Sequence, residues 1–142
     1  MKVKLAQLIN DPAYGTGLVV GYTDQYNFTV LVGGTTWKYE SEIDASGDKH
    51  WYLNDKLHRT DGPAVVGAHG DKHWFLNGKL HRTDGPAVVY TSGAKYWYLN
   101  GKRHRTDGPA YVHANGAKCW WLNNREFSEA EWKQEVKALT SS

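Results

Sequence analysis

Hydrophobic and polar positions alternate along most of this chain, and the alternation itself repeats. Lys-His-Trp-Tyr-Leu at 49–53, Lys-His-Trp-Phe-Leu at 72–76, Lys-Tyr-Trp-Tyr-Leu at 95–99 and Lys-Cys-Trp-Trp-Leu at 118–122 read as short half-buried strands. Asn54-Asp55, Asn77-Gly78 and Asn100-Gly101 follow them, supplying the left-handed residues of a tight hairpin turn. Lys-Leu-His-Arg is then the expected returning strand. Asp-Gly-Pro at 61–63, 84–86 and 107–109 forces a second turn, because proline cannot donate to a central ladder. Ala-Val-Val begins the next strand, and a glycine such as Gly70 or Gly93 turns the chain into the following copy. Trp51, Trp74, Trp97 and Trp120 fix the period at 23 residues. A constant period of that size marks a stack of repeats, here an antiparallel sheet growing by one hairpin per copy, with the tryptophans as its spine.

The two ends do not share the repeat. Residues 1–46 hold β-branched and aromatic runs broken by Asp-Pro, Gly-Thr-Gly and Gly-Gly, which predicts strands near 2–8, 16–23, 26–33 and 36–40. Gly15, Gly17 and Gly21 suit tight turns or a bulge in a curved strand. This segment resembles small SH3-like barrels of the Tudor or KOW type; the other reading is a cap over the first open edge of the array. Copies run 47–69, 70–92 and 93–115, with a truncated fourth from 116 to 125. Beyond it Phe127 and Ser128 stand where the earlier copies have histidine and arginine. Ser128-Glu129-Ala130-Glu131 is a capping box that predicts a helix from Glu129 to about Leu139 within the closing segment 126–142. Trp132, Val136 and Leu139 fall on one face, expected to lie over the last hairpin. The expected fold is all-β: an antiparallel β-hairpin repeat sheet, a small SH3-like N-terminal barrel and a C-terminal capping helix.

Composition narrows the function. Of 142 residues seven are Trp, nine Tyr and only three Phe, so the interior uses rings with polar tips that need partners. No stretch approaches the roughly 18 apolar residues of a membrane span, and the amino terminus lacks a signal-like apolar run. Cys119 is the single cysteine, which excludes an internal disulfide and favours a reducing cytoplasm; it reads as a small buried thiol. The net charge of +2 is uneven: residues 1–46 give 3 − 5 = −2, residues 47–125 give 12 − 6 = +6, and the tail gives 2 − 4 = −2. The array is therefore the basic part and favours an acidic partner.

The phrase Tyr-Trp-Tyr-Leu-Asn-Gly-Lys-Arg-His-Arg-Thr-Asp-Gly-Pro-Ala-Tyr-Val at 96–112, with its 23-residue period, resembles a divergent MORN (membrane occupation and recognition nexus) repeat over residues 47–125. It departs from an ordinary MORN repeat in carrying Arg-Thr-Asp-Gly-Pro where that repeat has Gly-x-Gly. The Leu-Asn-Gly-Lys-Leu-His-Arg-x-Asp-Gly-Pro-Ala signature is similar to arrays of bacteriophage and giant-virus proteins. The resemblance implies a hairpin stack that contacts other proteins. Its most concrete form is a phage-encoded inhibitor of a bacterial defence system or host factor.

The His-Arg-Thr-Asp cluster carries the densest chemistry and allows three readings. Arg59, Arg82 and Arg105 can pair with Asp61, Asp84 and Asp107, with the histidines against the rings and the threonines bonded into the turn. Alternatively, the arginines form a row that reads carboxylates or phosphates in bidentate fashion, flanked by Lys56, Lys79 and Lys102. Metal binding by the histidines fails on spacing, since zinc needs all its ligands within about 2.0–2.3 Å. No nucleophile elbow, phosphate loop or Cys-x-x-Cys is present, and a His58–Asp61 pair would be copied twice more, so the expectation is no enzyme and no cofactor. The expected function is non-enzymatic protein binding through Arg59, Arg82, Arg105, Lys56, Lys79 and Lys102, to a host or defence protein with an acidic surface. The alternative is nucleic acid or nucleotide binding, with Lys49, Lys72 and Lys95 interleaved among stacking tryptophans.

Overall fold

A computed structural model describes residues 8–11, 15–24, 27–32 and 35–141, and the side chains from Lys38 to Ser141. β1 (Leu8–Asp11), β2 (Gly15–Asp24), β3 (Asn27–Val32) and β4 (Thr35–Ile43) form an antiparallel meander, each paired with the next. The register of β2 shifts between Val19 and Gly21, where the flexible glycine accommodates the irregularity. Most of the expected strand at 2–8 lies outside the described residues. β4 then pairs with β5 (Lys49–Leu53), so the meander and the repeats share one sheet.

The repeats extend that sheet by one hairpin per copy, but the hairpin is Val65–Val66 with Lys72–His73 and its equivalents, not the Trp strand with Lys-Leu-His-Arg. In the first copy β5 is followed by β6 (Lys56–Leu57) and β7 (Val65–Val66), and β7 lies between β5 and β8 (Lys72–His73) of the next copy. Trp51 sits at the fork: its N–H donates to Ala64 O at 2.8 Å, while its carbonyl accepts from His58 N at 2.9 Å. Trp74 and Trp97 make the same two bonds. The first half of each Trp strand therefore joins the main sheet and the second half joins a side hairpin. Only two residues of the expected Lys-Leu-His-Arg strand pair there, because the Arg-to-Pro segment swings across the tryptophan. Beneath the fork Ala64, Ala87 and Ala110 are completely buried, so the position admits only a small side chain.

Two kinds of turn recur. Asn54-Asp55, Asn77-Gly78, Asn100-Gly101 and Asn123-Asn124 all have positive φ, as a twisted two-residue hairpin requires. Asp55 stands in the second of these positions at φ 65°, where the next two copies use glycine. Asp55→Gly is therefore expected to stabilise the chain by about 0.5–1 kcal/mol, read as a raised denaturant midpoint. The equivalent Asn124 is a poor target, since its Oδ1 accepts from Arg103 N at 2.9 Å and Nε at 3.2 Å.

The array ends under α1 (Glu129–Thr140). Ser128 caps it, accepting from Glu131 N at 3.2 Å and donating to Glu131 Oε1 at 3.0 Å. Trp132 is buried and packs on Trp120 at 4.6 Å between centroids, and its Nε1 donates to Arg105 O at 3.0 Å. Val136 is half-buried, but Leu139 is 59% exposed: the helix face reaches over the hairpin for its first two turns only. Among the described residues no helix is long and apolar enough to cross a membrane.

Candidate functional site

Each copy folds its His-Arg-Thr-Asp-Gly-Pro stretch into the same unit. The Arg59 guanidinium lies 4.0 Å from the Trp51 ring, donates Nε to Asp61 Oδ1 at 2.8 Å, and donates Nη1 to Pro63 O at 3.2 Å. Arg82 repeats this on Trp74, Asp84 and Pro86 at 3.9, 2.9 and 3.1 Å. Arg105 repeats it on Trp97, Asp107 and Pro109 at 3.8, 2.8 and 3.1 Å. A planar cation is the only side chain that stacks on indole and forks to two acceptors at once. The pairing lies within copies, and it hides the positive group: the arginine side chains are 21–24% exposed and the aspartates 82%.

The glycine of Asp-Gly-Pro completes the sandwich. A Cβ on Gly108 would stand 2.8 Å from Arg105 Cζ, with Gly85 and Gly62 at 3.0 and 3.1 Å from theirs. The guanidinium is thus clamped between an indole face and a glycine Cα. Gly108→Ala is expected to push Arg105 off Trp97 and cost about 2–3 kcal/mol in a denaturant titration. A change below about 0.5 kcal/mol would show that the cation has room to move.

The histidines join one copy to the next. Nδ1 of His58, His81 and His104 accepts the backbone N–H of Asn77, Asn100 and Asn123 at 3.1, 3.0 and 3.1 Å. Beside each bond a backbone pair crosses the same gap, from Gly78 N, Gly101 N and Asn124 N to the carbonyls of Leu57, Leu80 and Arg103. On the far edge Asp48 Oδ1 accepts from Ala68 N and Asp71 Oδ1 from Thr91 N. Burial lowers the pKa of His81 and His104, favouring the neutral ring whose Nδ1 is an acceptor. The folded state therefore binds fewer protons than the unfolded state just below the ordinary histidine pKa of about 6.5. Stability is expected to be full above about pH 6.5 and to fall as the pH drops toward the lowered folded values. Urea midpoints at pH 7.5 and pH 5.5 test this, the lower midpoint being expected at pH 5.5. His81→Gln with His104→Gln should shrink the difference, and His73, whose pKa burial also lowers, should retain the rest.

These units leave open grooves of ≈720 Å³ between the first two copies and ≈470 Å³ between the second and third. Their walls are Trp74 or Trp97, a histidine, and the exposed Thr-Asp pairs. Lys56, Lys79 and Lys102 are exposed at the hairpins, and the stems of Lys56 and Lys79 lie over Gly78 and Gly101 of the next copy. Lys49, Lys72, Lys95 and Lys118 form a second column, separated by Val66, Val89 and Val112 in the register. Of the six residues picked out as a contact surface, the lysines are held outward and the arginines are held inward. The tryptophans offered as base-stacking platforms carry a guanidinium on one face.

The opposite face is different in kind. Tyr90, Tyr96, Tyr111 and Trp121 touch in series at 5.6, 4.4 and 6.0 Å between centroids. His73 joins at Tyr90, His113 at Tyr96 and Tyr111, and Tyr98 bonds its hydroxyl to that of Tyr111. Burial and the Tyr98 bond push the Tyr111 phenol far above its ordinary pKa. Arg103 stacks on Trp121 at 3.9 Å. Alternation alone leaves these rings as ordinary strand residues; the signal that marks them is that they vary between copies. Cys119 is half-buried with Sγ 3.6 Å from His113 Nε2, and burial raises its thiol pKa, as suits a packed, unreactive cysteine. Asp44, Asp48 and His50 offer ligand atoms within 4.8 Å of one another, and Asp44 Oδ2 contacts His50 Nε2 at 3.1 Å while both carboxylates also accept backbone N–H groups.

Comparison of the chain with family models, curated proteins and solved structures gives no match.

Proposed function

We propose that this chain is a non-enzymatic repeat module that binds another protein. One observation carries the reading: the histidine, arginine and aspartate of the cluster with the densest chemistry are engaged three times in the same intramolecular contacts, and the threonines between them stay exposed. Catalysis needs different groups converging once on a reacting atom, whereas a stack of identical joints builds a rigid, extended face. The N-terminal meander serves as an SH3-like cap on that stack. Likeness of the repeat signature to bacteriophage arrays makes a bacterial host or defence protein the concrete partner. The exposed columns of lysine would draw an acidic protein by charge. Affinity capture from bacterial lysate with the intact chain tests the reading: one protein retained at stoichiometric level is the expected result. Retention of nucleic acid alone would overturn it.

A second reading, nucleic acid or nucleotide binding, draws on the in-register lysine column at every second strand, roughly 9–10 Å apart. A gel shift at two salt concentrations separates the two, because phosphate contacts give a steep salt slope.

A further inference from the structure

Setting the copies one above another separates positions that never change from positions that do. Among the three full copies, Trp, Leu, Asn, Lys, His, Arg, Thr, Asp, Gly, Pro and Ala recur unchanged at the forks, side hairpins and guanidinium clamps. Apart from the turn residues at 48, 55, 68 and 69 and their equivalents, the copies differ at five positions: 50, 52, 57, 65 and 67 in first-copy numbering. They read His, His, Tyr; Tyr, Phe, Tyr; Leu, Leu, Arg; Val, Val, Tyr; and Gly, Tyr, His.

The register places these five on one face. His50, Val65, His73, Val88, Tyr96, Tyr111 and Cys119 are successive cross-strand partners. Tyr52 and Tyr98 pair with Leu57 and Arg103, and Tyr90 contacts Tyr96. Toward the third copy three of the five positions gain a ring or a cation and the other two keep a ring, so the aromatic patch is densest at Tyr96, Tyr98, Arg103, Tyr111 and Trp121. All are partly exposed, and the closing helix covers Trp120 on the other face, away from them. Tyr, Trp and Arg gathered on a contiguous, partly exposed sheet face have the composition of an interface centre.

Charge selects the occupant. Glu42 accepts from Tyr52 OH at 2.9 Å and Asp44 lies 3.1 Å from His50 at the first-copy end of the face. Glu126 pairs with Trp121 in the register at the third-copy end, so carboxylates stand at both ends of the face, with Arg103 on Trp121 as the cation between them. The lysine columns stand on the opposite face. Phosphates would be repelled from such a rim, whereas lysine or arginine gains both a carboxylate and an aromatic face.

We infer that the aromatic face centred on Tyr96, Tyr111 and Trp121 is the specificity surface, and that it takes a polypeptide segment carrying basic and aliphatic side chains. The inference rests on the protein-binding reading above and places recognition opposite the lysines.

Selection of a random peptide library on the intact chain tests it without a known partner. Enriched peptides should be basic and apolar. A variant carrying Tyr96→His, Arg103→Leu and Tyr111→Val returns these three positions to the residues of the first copy. It loses the Arg103–Trp121 stack and the Tyr98–Tyr111 bond and melts lower, so its affinity is read at a temperature where circular dichroism shows it as folded as the parent. Its affinity for the selected peptides should fall at least tenfold. Lys56→Glu with Lys79→Glu and Lys102→Glu should leave that affinity within about twofold in moderate salt, since those lysines are remote and screened. Enrichment of acidic peptides, no enrichment, binding that survives the aromatic variant, or protection of the face by a second copy in ultracentrifugation would each overturn the inference. Loss of peptide binding in the lysine variant alone would sink this surface while leaving the protein-binding reading intact; capture of oligonucleotide alone would sink both.

Discussion

Arg82→Glu is expected to cost about 3 kcal/mol of stability, and Arg82→Lys more than half of that. The arginine makes three contacts that depend on its planar fork: the Trp74 ring at 3.9 Å, Asp84 at 2.9 Å and Pro86 O at 3.1 Å. The ion pair itself adds little, because Asp84 is 82% exposed and water screens it. Stacking of a partly desolvated cation on indole is worth about 1–2 kcal/mol and the charged bond to a carbonyl about 1.5–3 kcal/mol. Glutamate loses both and sets a second negative charge beside Asp84. Lysine keeps the charge but neither the plane nor the fork, so it separates architecture from surface electrostatics. For a chain of this size the glutamate variant should melt on the order of 10 °C lower. A melting temperature unchanged in both variants would return the arginines to the role of a docking row.

Trp132→Ala should be as severe, by a different route. The fourth copy has no arginine over its tryptophan, because Ser128 occupies that place and caps the helix. Trp132 substitutes for the missing cation: it lies on Trp120 at 4.6 Å and bonds Arg105 O at 3.0 Å. Truncation removes the helix's one buried side chain and uncovers the last strand, at about 3–5 kcal/mol. Since each copy leans only on its neighbours, the loss should start at the carboxyl end: helical circular dichroism should fade before the repeat aromatic signal on heating. Leu139→Ala, at a 59% exposed site on the same helix, should change little. A single transition with parental midpoint in the Trp132 variant would show that the helix is an appendage.

Much of this architecture is legible in the sequence. The period, the left-handed Asn-Gly turns and the Ser128 capping box are local signals, and each fixes its element almost alone. The fork at Trp51 was not legible, because alternation says which residues share a face but not that a strand changes partners halfway along it. Nor was the histidine staple, whose acceptor is a backbone N–H 19 residues away in the next copy. Arg–Asp pairing could be read from the spacing; the clamp could not, because it depends on an indole behind and a glycine in front. Leu139 misled for the opposite reason: its helical spacing from Trp132 was right, but the hairpin beneath is too short to reach it. The aromatic face was concealed by the repeat itself, since recurrence draws attention to the invariant letters.

The central claim is that the invariant polar letters hold the stack together and leave recognition to the residues that vary. Exchange of the arginine Nε–H protons, followed by NMR at neutral pH, tests it most directly. Arg59, Arg82 and Arg105 should show slowed Nε–H exchange together, while Arg125, exposed and resting on the Phe127 ring at 4.9 Å, exchanges faster than all three. Three arginines exchanging as fast as Arg125 would contradict the account.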